Sequence, residues 1–281
     1  MTRVTSIRLA MGQMLVEGGQ PDANLRRATA MVAEAARDGC HVVVLPECLD
    51  LGWTHPSARK LAQSIPGPSS DVLCGAAREA GIYVVAGLTE RAEARIYNAA
   101  LLIDPAGTIL GKHRKINELD IALDLYSIGD RLGVVETDLG TVGLSICADN
   151  FPDSLALGHA LGRMGAQLLL SPCAWAVPGD HDNVREPYGD LWKRAYSALA
   201  RLYEMPVVGV SNVGELDAGP WAGRKCIGCS LAVDGRGEIL AQGPYGEDAQ
   251  VRVAVQLDLL PRRHLGTRIG EMLRRKGHHG P

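Results

Sequence analysis

HVVVLPE, residues 41–47, decides the fold class. Its apolar run is continuous, rich in valine and closed by a proline, so it is too short for a helix and does not alternate. It reads as a strand covered on both faces, the kind that parallel sheets contain. Residues 24–37 before it place Leu25, Ala28, Val32 and Ala35 on one helical face, with Asp22 or Asn24 as cap and Gly39 just past the end. Residues 7–13 form the strand before that helix. Residues 70–80 predict a second helix stopped by Gly81, and residues 82–88 a third strand. Strands and helices in alternation imply an α/β protein.

Farther along, antiparallel pieces enter. Residues 97–103 and 108–112 flank Asp104-Pro105-Ala106-Gly107, residues 132–136 and 141–147 flank Asp138-Leu139-Gly140, and residues 230–233 and 239–242 flank Asp234-Gly235-Arg236-Gly237. Each is a hairpin with a turn built from Pro, Asp and Gly. Helices are expected at 154–164 and 185–203, and strands at 167–171, 206–212 and 251–257. No linker, repeat or low-complexity segment interrupts the order. We therefore expect a single domain over residues 1–281, with a core of about 5–258 and a basic tail, 259–281, as a solvated helix or an arm against a partner subunit.

The chain has 281 residues, 46% apolar and 22% charged, which suits a globular fold with a sizeable core. With 29 Lys+Arg against 32 Asp+Glu, it has no positive excess to neutralise phosphates, which excludes an electrostatic nucleic-acid binder. A single Phe leaves most of the core to aliphatic side chains. The longest apolar runs are strand-sized, so no membrane span is expected. The first residues lack a signal peptide's apolar stretch, and seven irregularly spaced cysteines suggest reduced thiols, so a cytoplasmic location is expected.

Glu47, Lys115 and Cys147 share one placement: each stands at or just past the end of an expected strand. Ligands in sheets of this type sit beyond the carboxyl ends of strands, where side chains from distant segments meet. By default a strand-end Cys is a small buried hydrophobe, a strand-end Glu points to water, and Lys112-His113-Arg114-Lys115 is a solvated edge strand. After Asp149, Asn150 and Pro152 a helix begins, and a helix N-terminus with a nearby ammonium favours a thiolate at Cys147. Taken together, a carboxylate, an amine and a thiol make a base, an electrostatic stabiliser and a nucleophile. Cys226-Ile227-Gly228-Cys229 has no second pair or nearby His to complete a zinc set and reads as structural thiols. No glycine-rich phosphate loop occurs, which counts against a nucleotide-binding protein. His278 and His279 read as solvated tail residues.

With VVVLPE around Glu47, KHRKINEL around Lys115 and GLSICADNFPD around Cys147, the chain resembles the nitrilase (carbon–nitrogen hydrolase) superfamily from about residue 7 to 257. YNAALLIDPAGTILGKHRK, YSIGD, QLLLSPCAW, RAYSALA, VVGVSNVG and GCSLAVDGRGEIL fall in the expected places. The resemblance implies a four-layer α-β-β-α sandwich with two mixed sheets. It implies a triad of Glu47 as general base, Lys115 as stabilising cation and Cys147 as nucleophile. It also implies a second carboxylate after the lysine, for which Glu118 is preferred over Asp124. Asn150, Phe151, Cys173 and Trp175 are the implied substrate-binding residues; Trp53 and Trp192 serve the pocket or the core. A backbone N–H just after Pro172 would share the oxyanion with Lys115.

The implied activity is hydrolysis of a small amide through a Cys thioester, releasing acid and ammonia or amine, with no metal and no organic cofactor. A nitrilase, an N-carbamoyl amide hydrolase and a non-catalytic scaffold are the alternatives. Carbamoylases and omega-amidases carry Arg three or four residues after the nucleophile. Asn150 and Phe151 stand there instead, so a substrate without a carboxylate is expected. A homodimer or higher homo-oligomer is also implied, without nucleic-acid or membrane partners.

Overall fold

The HVVVLPE run does become a strand buried on both faces, but a short one, and its alternation sets the layers. A computed structural model describes residues 5–261 and 268–277. The strands are β1 (Thr5–Gln13), β2 (Val42–Val44), β3 (Tyr83–Ala92), β4 (Arg95–Ile103), β5 (Ile109–Arg114), β6 (Val134–Thr137), β7 (Gly140–Leu144), β8 (Leu168–Cys173), β9 (Ala176–Val177), β10 (Val207–Ser211), β11 (Val213–Leu216), β12 (Arg224–Ile227), β13 (Leu231–Val233), β14 (Ile239–Gln242) and β15 (Val251–Leu259). The helices are α1 (Pro21–Arg37), α2 (Ala58–Leu61), α3 (Pro68–Ala80), α4 (Leu155–Met164), α5 (Asp190–Tyr203) and α6 (Arg268–Arg275).

Two mixed six-stranded sheets run in the orders β15-β1-β2-β3-β4-β5 and β14-β13-β10-β8-β7-β6, and β11-β12-β9 form a small third sheet. In β2 and just beyond, Val42 and Val44 point between the large sheets, whereas Val43 and Leu45 point at the helices. Ile7, Leu9 and Met11 of β1 join Leu168, Leu170, Val208 and Val210 in the inter-sheet layer, while Ala10 packs against the helical side. The helices α1 and α3 cover the first sheet, with Leu25, Ala28, Val32 and Leu73 in that layer; α4 and α5 cover the second through Leu161, Ala195 and Leu199. The result is the expected four-layer α-β-β-α sandwich.

Several boundaries differ from the sequence reading, each for a local reason. The strand read over residues 41–47 stops at Val44, because the chain turns through Pro46 to carry Glu47. Neither Asp22 nor Asn24 caps α1, which starts at Pro21 after Gln20 with no side-chain cap. Asn24 is spent elsewhere: it accepts from the Glu17 amide and donates to the Glu17 and Asp50 carbonyls. The helix read over 185–203 begins at Asp190, because Pro187 disfavours helix at Glu186 and Gly189 takes φ 118°. The strand read to Cys147 stops at Leu144, and residues 147–150 form a 3₁₀ turn. The third sheet was not legible, since its strands are two to four residues long.

In the tail, α6 exposes Ile269, Met272 and Leu273; Arg262, Arg263, His278 and His279 lie outside the described residues. Among the described residues, no helix is long and apolar enough to cross a membrane. Cys226 and Cys229 are buried free thiols, and burial pushes them up to about 12 and about 11.

Candidate active site

Three separate turns bring Glu47, Lys115 and Cys147 to one end of the sandwich. The Glu47 turn packs directly on β3: a Cβ added at Gly87 would lie 2.5 Å from Glu47 Cα and 2.7 Å from the Pro46 carbonyl oxygen. Only glycine permits that approach. The Glu47 amide donates to the Cys173 carbonyl at 3.2 Å, tying the turn to the second sheet. Lys115 follows β5 directly. Its amide donates to the Asn98 carbonyl at 2.9 Å, and its own carbonyl accepts from Gly129 at 2.8 Å. Cys147 opens the 3₁₀ turn with φ 42°, a left-handed conformation rare for a residue with a Cβ, and its amide donates to Ser171 Oγ at 3.1 Å. Such a conformation costs on the order of 1–3 kcal/mol and persists only where its surroundings enforce it.

Asp149 supplies part of that enforcement. One carboxylate oxygen accepts from the Ile146 amide and bonds His113 Nε2; the other accepts from the Ile116 and Asn117 amides. The same side chain therefore straps the cysteine turn to the loop that carries Lys115. Burial opposes its charge, but His113 and the Asn117 amide outweigh burial and hold the carboxyl below the ordinary range.

At the centre, Lys115 Nζ donates to Glu47 Oε1 at 2.7 Å and stands 3.7 Å from Glu118 Oε2. Asn98 Nδ2 donates to the same Glu47 oxygen at 2.5 Å. Glu47 Oε2 is buried with no hydrogen-bond partner. All three ionisable side chains are 1% exposed or less. Burial works against the Lys115 charge, but Glu47, Glu118 and Cys147 more than compensate and hold its pKa well above the usual lysine range. One buried cation cannot fully neutralise two carboxylates. The farther one, Glu118, is pushed up to about 7, by burial first and then by Glu47 and Asp149 against the pull of Lys115.

A carboxyl that binds its proton more tightly in the folded chain favours folding fully below its unfolded value, 4.5, and loses that contribution as pH rises through about 7. The loss amounts to about 3 kcal/mol. In Glu118→Gln this part of the pH dependence is expected to vanish, so the fall in urea-unfolding stability between about pH 5 and about pH 8 shrinks by up to about 3 kcal/mol. An equal fall in both proteins would exclude a buried, proton-holding Glu118.

The thiol departs from the sequence expectation. The Cys173 side chain, burial and the Glu47 charge push Cys147 well above the ordinary thiol range, and Lys115 opposes them without prevailing. The resting group is a thiol, not a favoured thiolate. The Lys115 charge is already shared with two carboxylates, and the helical turn at Cys147 is only four residues long.

Cys147 and Lys115 open into a cavity of about 340 Å³, whose walls include Trp53, Phe151, Trp175, Tyr188, Trp192 and Trp221. Of the residues expected to bind substrate, Phe151 and Trp175 line it. Asn150 and Cys173 do not: Asn150 Nδ2 is turned inward onto Ser145 Oγ and Ser171 Oγ, both at 2.9 Å, and Cys173 is fully buried beside Tyr196. Glu118 stands at the lysine, whereas Asp124 is exposed, its backbone carbonyl accepting from Arg59. Sequence reasoning missed Asn98 and Trp221, and it missed the bond between Asp149 and His113 that ties the cysteine turn to the lysine loop. Asn98 left one signal: it is a fully buried amide inside an otherwise apolar strand, a position that calls for a partner.

A family model described as carbon-nitrogen hydrolase matches residues 8–262. The omega-amidase NIT2 of Xenopus tropicalis is 34% identical over 183 residues, a match covering 61% of this chain and 65% of that protein. This chain therefore spans less than two thirds of that relative's length. A nitrilase of Pyrococcus abyssi is 33% identical over 260 residues, covering 90% of each chain. Among solved structures, a carbon-nitrogen hydrolase from Helicobacter pylori G27 shares the fold with TM-score 0.80 at 21% identity, over 90% of this chain and 89% of that one.

Proposed function

The chain belongs to the carbon-nitrogen hydrolase family, and from that premise we propose that it is a thiol amidohydrolase cleaving the C–N bond of a small amide that is not a peptide. The observation that carries this reading is the division of labour at Glu47. One carboxylate oxygen is held by Lys115 and Asn98, and the other is left without a partner, within electrostatic reach of the Cys147 thiol.

Glu47 takes the thiol proton as Cys147 Sγ attacks the carbonyl carbon, so a thiol with a raised pKa is activated only as it reacts. The oxyanion forms opposite the Lys115 ammonium, a fixed and almost fully buried charge. Glu47 returns the proton to the nitrogen as the C–N bond breaks, leaving a thioester. Water, deprotonated by Glu47, then attacks the thioester, and the acid leaves as the thiol regains its proton. One amide and one water give one acid and one amine or ammonia. Glu118 stays beside Lys115 and fixes its position.

The nitrilase relative supports a second reading, in which the same thiol adds to a nitrile. Paired assays on a nitrile and its amide separate the two. A cytoplasmic homodimer or larger homo-oligomer is part of the proposal. For the amide reading, acid quench during turnover of excess amide, followed by intact-protein and peptide mass spectrometry, is expected to find the acyl group on Cys147. A chain that hydrolyses the amide with no adduct on Cys147 at any time would overturn the proposal; so would a chain that turns over neither substrate.

A further inference from the structure

The aromatic residues of this chain are not spread through its core. The layer between the large sheets holds one aromatic side chain, Tyr83, and the layer under α1 and α3 holds none. By contrast, all four tryptophans of the sequence and its single phenylalanine border the cavity that Cys147 opens into. Trp175 and Trp192 also pack with Tyr196 and Tyr203 under α5, whereas the layers on the first sheet are filled mostly by aliphatic side chains.

The rings form two walls. On one side Phe151 stacks on Trp192, centroids 5.1 Å apart and planes at 28°, and Trp192 stacks on Trp175 at 4.9 Å and 20°. On the other, Trp53 and Trp221 meet edge to face at 5.1 Å. Lys115 Nζ is 5.5 Å from the Trp53 ring centre, so the aromatic wall begins at the ammonium itself. Charge is distributed against an anion. Among the described residues lining the cavity, Lys115 is the only Lys or Arg and already faces Glu47 and Glu118, and His181 is the only histidine. The other carboxylates at the cavity, Glu186 and Asp190, are exposed at its edge.

We propose that the cavity selects amides whose acyl group carries an uncharged aromatic ring on a short linker to the carbonyl. The ring lies against Phe151 and Trp221, lining aromatics that are left half-buried, while the carbonyl reaches Cys147. Flat rings gain from offset stacking as well as from burial, and a cavity of about 340 Å³ matches a ring plus a short chain. A carboxylate on the acyl group would meet carboxylates, with His181 as the one lining base not already facing an acid. This inference rests on the hydrolase reading above and narrows its substrate.

The experiment compares kcat/KM for phenylacetamide, propionamide and succinamic acid. Phenylacetamide is expected to exceed propionamide by about 30-fold or more, with succinamic acid last. Phe151→Leu and Trp221→Leu, both at half-buried positions, are each expected to lower the phenylacetamide-to-propionamide ratio by about 10-fold, each variant first checked for a cooperative thermal transition. Equal use of the two neutral amides, a preference for succinamic acid, or an unchanged ratio in both variants overturns the inference and leaves the hydrolase intact. Quenching of tryptophan emission by phenylacetamide without acylation of Cys147 does the reverse, keeping the aryl site and sinking the hydrolase. Neither quenching nor acylation overturns both.

Discussion

In Lys115→Met, amide turnover is expected to fall by about 10²–10³-fold and folding stability by about 3–5 kcal/mol, a double loss that few residues in this chain could produce. The kinetic part follows from position: the ammonium borders the cavity beside Cys147, and removing one fixed donor to an oxyanion costs that much. The stability part follows from what is left behind. Methionine fills the volume, but Glu47 and Glu118 then face one another, fully buried, with no cation between them. An uncompensated buried charge is far more costly than the intact pair is favourable. The pair escapes part of that cost when Glu118 takes a proton, so the stability deficit should narrow as pH falls and widen as it rises. Urea unfolding at several pH values, set beside kcat from ammonia release, reads both parts. A variant that is less stable yet turns over at the wild-type rate would leave Lys115 a structural cation only.

The same cluster explains what could be read in advance. Glu47, Lys115 and Cys147 were legible because each follows a strand in a motif with recognisable flanks, whereas the four layers came with the family resemblance, the VVV run by itself giving only a strand covered on both faces. Glu118 was legible as a preference: it follows Lys115 by three residues on a loop whose path periodicity does not predict. The rest depends on contacts between distant turns. Asp149 is bonded to residues 32 to 36 positions earlier, and Asn98 meets Glu47 across 51 positions. Nothing local to an Asp after a Cys says that it will strap two loops. The lapse about Asn150 has the same origin. Its place in the sequence beside the nucleophile suggested the pocket, but the 3₁₀ turn sends its side chain inward to two serines. Thiolate character was misjudged because the rule about ammonium neighbours assumes an uncommitted ammonium, and this one is shared.

Cys147→Ala is expected to lose the activity outright, by about 10⁴-fold or more, while its melting temperature stays within a few degrees of wild type. The contrast with Lys115→Met is the point of the experiment. Alanine keeps a Cβ, so the strain of the left-handed backbone at residue 147 is unchanged, and the ion cluster keeps its full set of charges. What disappears is one small sulfur in contact with Cys173, worth about 1 kcal/mol as buried volume. Glu47→Gln should match the kinetic loss to within about tenfold, because a thiol with a raised pKa and no base is nearly as inert as no thiol. The double variant should then be no worse than Cys147→Ala alone, since residues that act as one unit do not add. If the two losses instead multiply, base and nucleophile work in separate steps and the concerted proton transfer is wrong. If Cys147→Ala retains more than a few per cent of kcat in a preparation free of wild-type protein, the nucleophile is another group.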